Sequence, residues 1–132
     1  NAMKVIGTGL MIAVSLPLLT QNYAHPKQDF IGAYERVEAE RLPGEKAVTL
    51  GLADIAYGQY MAEDWPTISS VEELIARTQG ADALWVVTTF PAHTESYFPD
   101  ANALLETEFD LVERFPATLA GGDVLVYRSK RP

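Results

Sequence analysis

Ala83-Leu84-Trp85-Val86-Val87-Thr88-Thr89-Phe90 is the stretch that decides the fold. Its apolar side chains run almost without a break. A strand with one wet face alternates apolar and polar residues; a strand covered on both faces does not. The run therefore predicts a central parallel strand, with helices packed above and below it.

Working outward toward the C-terminus, Pro91 to Pro99 reads as a loop rich in polar and aromatic residues. Asp100 can cap a helix carrying Ala103, Leu104, Leu105 and Phe109. Leu111 to Phe115 and Val124 to Tyr127 then read as two strands joined around Ala120-Gly121-Gly122-Asp123, a hairpin at the end of the sheet. Toward the N-terminus, Ser70-Val71-Glu72-Glu73 is a capping box, and Val71, Leu74 and Ile75 form the buried stripe of the helix it starts. Glu63 to Thr67 is a loop, and Ile68 belongs to a very short strand. Ala53 to Tyr60 reads as a short helix, and Lys46 to Leu50 as a buried strand ended by Gly51. Before it, Asp29 caps a helix whose stripe is Phe30, Ile31, Tyr34, Val37 and Leu42, stopped by Pro43-Gly44. This alternation predicts an α/β fold: a small three-layer Rossmann-like sheet, mostly parallel, with a C-terminal antiparallel hairpin and an N-terminal apolar helix.

Composition bounds the rest. A chain of 132 residues is one domain with room for a core. Apolar residues at 48% and charged residues at 21% exclude disorder and coiled coil. Ten basic against eighteen acidic residues give a net charge of -8. Such a surface repels phosphate backbones, so no nucleic-acid partner is expected. The absence of cysteine excludes disulfides, thiolate nucleophiles and cysteine metal sites.

Asn1-Ala2 ahead of Met3 reads as what tag cleavage leaves, so residues 1–3 are set apart. From Val5 to Leu19 the chain carries no charge. A membrane-spanning helix needs roughly 20 apolar residues, and this run is shorter. One reading is a signal peptide, with Lys4 as its charged start and cleavage after Ala24; Asn22 is large for that site. Another is a dinucleotide-binding turn at Gly7-Thr8-Gly9, with Asp29 as the ribose acid. That reading meets Ile12 where the third glycine belongs, and Pro17 inside the helix that would come next. The end of a membrane helix over residues 4–22 fits best. It would finish near Pro17–Leu19, with Tyr23 at the membrane–water interface. Residues 23–132 then form the soluble α/β domain. A bare apolar stripe on that helix is also a self-association surface, so a homodimer through it is expected in water.

The familiar catalytic motifs G-x-S-x-G, the Walker loop, H-E-x-x-H and the EF-hand loop are missing from the sequence. Neither His25 nor His93 has a second histidine at helical spacing, so no metal and no cofactor is expected. The carboxylate pairs Glu63/Asp64, Glu72/Glu73 and Glu106/Glu108 read as solvated helix faces and caps. No residue is assigned a catalytic role. Open α/β sheets bind ligands outside the carboxyl ends of their parallel strands. Here those ends lead into Gly51–Asp54 and Phe90–Tyr97. Tyr57, Tyr60, Trp65, His93 and Tyr97 are the candidates to gather there, as rings suited to the apolar face of a sugar or a lipid headgroup.

Several short patterns fall in a telling order. Tyr23-Ala24-His25-Pro26-Lys27-Gln28-Asp29-Phe30-Ile31-Gly32-Ala33 comes directly after the apolar helix end. After it come Pro43-Gly44-Glu45, Leu84-Trp85-Val86-Val87 and Phe109-Asp110-Leu111-Val112-Glu113-Arg114-Phe115-Pro116-Ala117-Thr118, and then Gly121-Gly122-Asp123-Val124-Leu125-Val126-Tyr127-Arg128. From about Val5 onward the chain resembles the C-terminal extracytoplasmic domain of bacterial polytopic membrane glycosyltransferases of the protein-mannosyltransferase-like class. It departs from that pattern at Phe30 and Ile31, where Trp or Arg is frequent, and at Glu45, where Asp is frequent. The resemblance implies a parent that transfers a sugar from a polyprenyl-phosphate donor on the outer side of the cytoplasmic membrane. It places the catalytic acid in the membrane part. The expected partners are that transmembrane part and a carbohydrate or lipid-linked sugar, with this domain capping the active site or helping to bind acceptor. The alternative is a secreted or membrane-anchored ligand-binding module without enzyme activity.

Overall fold

A computed structural model of the chain describes residues 2–24, 27–62, 64–118 and 120–130. The expected His25-Pro26 connector and Glu63 lie outside them. The first helix, α1 (Ala2–Ala24), does not finish near Pro17–Leu19 but runs on to Ala24, with Pro17 inside it. Proline forfeits a backbone bond in a helix. The bond forfeited is the one to the Ala13 carbonyl, one turn earlier; after the proline, the Thr20 hydroxyl donates to the Pro17 carbonyl at 2.8 Å. Among the described residues, no helix is long and apolar enough to cross a membrane.

The rest is an α/β fold. Its helices are α2 (Phe30–Glu40), α3 (Ala53–Tyr60), α4 (Val71–Gln79), α5 (Pro91–Tyr97) and α6 (Pro99–Glu108). Its strands are β1 (Lys46–Leu50), β2 (Thr67–Ile68), β3 (Leu84–Thr89), β4 (Phe109–Phe115) and β5 (Val124–Ser129). They form one five-stranded sheet in the order β2-β1-β3-β5-β4. The chain leaves β1 through α3 toward β2 and returns through α4, on the other face, to β3. Opposite directions on opposite faces keep both crossovers of one hand.

The expected parallel centre and C-terminal antiparallel hairpin are both present, and the sheet as a whole is mixed. β1 pairs parallel with β2 and β3, while β5 pairs antiparallel with both β3 and β4. β5 alone therefore runs against the other strands. Its Val124-Leu125-Val126-Tyr127 run is buried on both faces, which suits an inner position. β4 carries Asp110, Glu113 and Arg114 and an irregularity between Leu111 and Glu113, devices that protect an open edge.

Alternate residues of the inner strands feed two cores. Trp85, Val87, Val124 and Val126 meet α2 and α3 through Ala33, Val37, Ala53 and Tyr57. Leu84, Val86, Leu125 and Tyr127 meet α4 and α6 through Leu74, Ala101 and Leu105. Within the expected stripes, Ile31, Leu42 and Ile75 are exposed instead. Ala33 takes the buried place in α2, because it lies on the same side as Val37.

Caps define the helix starts. Asp29 Oδ1 accepts from the Gly32 N–H at 2.8 Å. Ser70 Oγ accepts from the Glu73 N–H at 3.2 Å. Glu73 reaches back to the Ser69 N–H at 3.2 Å, one residue earlier than a capping box requires. The stretch expected as a loop between Pro91 and Pro99 is helical through α5. Asp100, expected as a cap, lies in the first turn of α6, and Phe98 takes the cap position.

The amino edge of the sheet is tied shut. The Glu45 carboxylate, buried between the end of α2 and β1, accepts from Trp85 Nε1 at 2.7 Å and from the Leu42 N–H at 3.3 Å. Arg128 of β5 pairs with it, and the Arg128 guanidinium lies 5.5 Å from the Trp85 ring centre. Lys46 Nζ donates to the Gly80 carbonyl that ends α4, at 2.9 Å, and Lys130 Nζ to the Thr107 carbonyl near the end of α6, at 2.6 Å. Cations at helix carboxyl ends answer the free carbonyls there.

Candidate functional site

β1 and β3 are adjacent and parallel, and the chain leaves them in opposite directions. The crevice outside their carboxyl ends is the switch point where α/β sheets take ligands. On the β1 side, Gly51 adopts φ +66, a left-handed turn that favours glycine. The Phe98 ring and Thr94 lie over it, so that a Cβ at Gly51 would stand 3.5 Å from Phe98. The Thr94 hydroxyl is buried and donates to the Thr89 carbonyl at 3.3 Å, which seats α5 on the end of β3. Beside them, buried Thr49 shares a hydrogen bond with Thr67 at 3.2 Å, and Thr67 donates to the Asp54 carboxylate. Asp54 stands in the first turn of α3, where a negative charge meets the positive end of the helix.

On the β3 side, Phe90 has φ 51 and ψ 71, the one non-glycine residue at positive φ among those described. Left-handed backbone costs an L-residue about 1–2 kcal/mol. It turns the chain from β3 into α5, where Pro91 sits at the first helical position. The His93 and Tyr97 rings then stack on the helix surface, 4.3 Å apart and 17° from parallel. His93 Nδ1 is buried and has no hydrogen-bond partner.

The five candidate rings do not gather at this edge. Tyr57 and Trp65 are interior: they stack at 5.2 Å, with Tyr34 5.3 Å from Trp65 and Phe30 edge-on to Tyr57 at 5.6 Å. The Tyr57 hydroxyl donates to the Phe30 carbonyl at 2.9 Å, and Trp65 Nε1 to Glu38 at 3.3 Å. Burial pushes the Tyr57 phenol well above its usual range, and the Asp29 carboxylate adds to the rise. Tyr60, at the far end of α3, is 79% exposed. Only His93 and Tyr97 stand together at the carboxyl edge. The burial of Tyr57 and Trp65 comes from spacing: α3 and the loop after it must cover the β1 and β3 face beneath α2.

Phe90, Thr94 and Phe98 build the edge and were not singled out by sequence. A signal for them exists in Phe90-Pro91 and Phe98-Pro99. The residue before a proline is steered out of the helical region, and proline favours the first helical turn. Two such pairs mark two helix starts. Gln28 is a further contributor: its side-chain amide donates to Thr89 Oγ1 at 2.8 Å and to the Gly122 carbonyl at 2.9 Å. It thereby ties the segment before α2 to the end of β3 and to the β4–β5 turn.

Among the described residues, no group of three or more histidine or acidic side chains is placed to hold a metal ion. The edge offers contact chemistry: stacked rings, a buried imidazole nitrogen and a covered glycine turn. Set against known families, curated proteins and solved structures, the chain matches no family model, no curated protein and no solved structure.

Proposed function

We propose that this chain is the extracytoplasmic domain of a bacterial membrane glycosyltransferase whose donor is a polyprenyl-phosphate sugar. In this reading α1 is the outer end of a membrane span, and the Rossmann-like domain after it caps the active site or helps bind acceptor. The observation that carries the reading is α1 itself. Ile6, Leu10, Met11, Ile12, Val14, Leu16 and Leu19 are all exposed. At 3.6 residues per turn these positions fall on every side of the helix. A helix apolar all round belongs in a core or a bilayer rather than against one groove. The junction Lys27-Gln28-Asp29-Phe30 and the runs at Phe109–Thr118 and Gly121–Arg128 support the family named by resemblance. The transmembrane part of the parent is the first partner, and a carbohydrate or lipid-linked sugar the second. Pairing of two chains through α1 is what water would impose on the bare helix.

The coding sequence upstream of Lys4 tests the proposal. Several further apolar spans there are expected. A native start codon at Met3 overturns the glycosyltransferase reading and leaves a membrane-anchored binding module.

A further inference from the structure

We propose that the carboxyl edge of the sheet is the face that this domain lays against a lipid surface of neutral headgroups. The inference rests on the reading of α1 as the outer end of a membrane span, and adds which way the domain faces. Gln28 is held to Thr89 at the end of β3 and to Gly122 in the β4–β5 turn, so the chain enters the domain at the carboxyl edge. Gln28 lies four residues after Ala24, the last residue of α1. Four extended residues reach at most ~14 Å. Wherever α1 points, its end stays that close to this edge. The amino edge lies ~20 Å farther away, the length of a six-residue strand such as β3.

Apolar side chains stand ready for contact at that edge. Ile31 in the first turn of α2, Ile55 in the first turn of α3 and Tyr97 at the end of α5 are 63%, 57% and 72% exposed. Ile31 and Ile55 stand at the carboxyl-edge ends of their helices, and Tyr97 ends the short helix that leaves β3 at that edge. The amino edge presents Lys46, Asp82, Glu108 and Lys130 to water beside exposed Leu42 and Tyr60, which follow or end α2 and α3 there, so apolar exposure is shared by both edges and the Gln28 tether sets the direction. Glu72, Glu95 and Asp100, exposed around the carboxyl edge, oppose anionic lipid, which is why the surface is a neutral one.

The chain has no cysteine, so a single introduced thiol reports one place. Glu95→Cys marks the carboxyl edge and Gln79→Cys the amino edge, and both positions are exposed. Each full-length variant is labelled with an environment-sensitive fluorophore and mixed with phosphatidylcholine vesicles carrying a nitroxide on a fraction of their headgroups. The expected result is that both variants float with the vesicles and that position 95 is quenched several-fold more than position 79. Flotation with equal quenching, or with stronger quenching at position 79, overturns the inference and leaves the membrane reading of α1 standing. Failure to float overturns both.

Discussion

Glu45, Trp85, Arg128 and two lysines close the amino edge of the sheet with hydrogen bonds, while the carboxyl edge holds a left-handed Phe90 and an unpaired His93 Nδ1. The same strands reach both edges, so the contrast lies in the turns and helix ends that flank each strand. At the amino edge every named polar group answers another, and a change there leaves a partner stranded. At the carboxyl edge rings and a strained turn are kept without full pairing. Strain and unpaired polar atoms persist where the surrounding structure holds them, and they concentrate at sites of function. The amino edge is thus held by paired polar groups, while the carboxyl edge sets a strained turn and an unpaired nitrogen beside paired groups such as Gln28 and Asp123.

The largest effect that can break this comparison is at Glu45. Glu45→Ala strands the Arg128 guanidinium and the Trp85 N–H in a half-buried place. Removing one partner of a buried ion pair costs ~3–5 kcal/mol, and partial exposure of Arg128 puts the expected loss at the lower end, about 3 kcal/mol, read from urea unfolding. Glu45→Gln keeps an oxygen for Trp85 and should lose less. A Glu45→Ala variant as stable as the parent chain would show that the amino edge is not held this way.

At the opposite edge, Phe90→Ile keeps the apolar bulk but branches at Cβ. Branching makes positive φ harder to hold. We expect a loss of ~1–2 kcal/mol, the scale of one strained residue, again by urea unfolding. An unchanged midpoint would mean that the turn from β3 into α5 relaxes without cost, and that the edge stores no strain.

Part of this contrast is legible in the sequence, and the rest is hidden for physical reasons. β3 is legible because burial on both faces removes the alternation that a half-wet strand must show. α3, β1 and the caps at Asp29 and Ser70 are legible because their signals are local. The insertion of β5 beside β3 is not: a hairpin reads the same whichever of its strands turns inward, and that choice depends on packing across the sheet. The candidate rings divide for a similar reason. Tyr57 and Trp65 have the composition of a binding surface, but α2 covers them, and which helix covers which strand is a tertiary fact. α5 reads as a loop because Pro91 and the polar residues after it hide a short helix. Gln28 stands in plain view within the junction motif, yet its partners lie 61 and 94 residues away.

A smaller effect separates the two edges by pH. Asp123, in the turn at the carboxyl edge, accepts from the Ala117 N–H at 2.9 Å and from Arg114 Nε at 2.6 Å. The Ala117 N–H first, and Arg114 next, hold its carboxyl below the usual aspartate range. A carboxyl lowered in the folded state stabilises fully above its unfolded value and loses that contribution as pH falls through the folded value. Asp123→Asn should therefore lower Tm at neutral pH, by less than either change above, and the gap from the parent should narrow in acid. A gap that is constant with pH would show that the Asp123 charge does not hold the turn.

The smallest effect on stability should come from Tyr97, and there the comparison is sharpest. Tyr97 is 72% exposed, and its ring contact is with His93 on its own helix. Exposed positions away from caps and cores change stability by no more than ~0.5 kcal/mol, so Tyr97→Ala should unfold with the parent chain in urea. On phosphatidylcholine vesicles the same change should reduce the quenching at position 95, because it removes the largest exposed ring of the proposed contact face. Glu45→Ala should do the reverse, lowering stability while leaving the contrast between positions 95 and 79 intact in whatever fraction remains folded. If Tyr97→Ala instead unfolds early, the His93–Tyr97 stack belongs to the fold, and contact must be sought at Ile31 and Ile55.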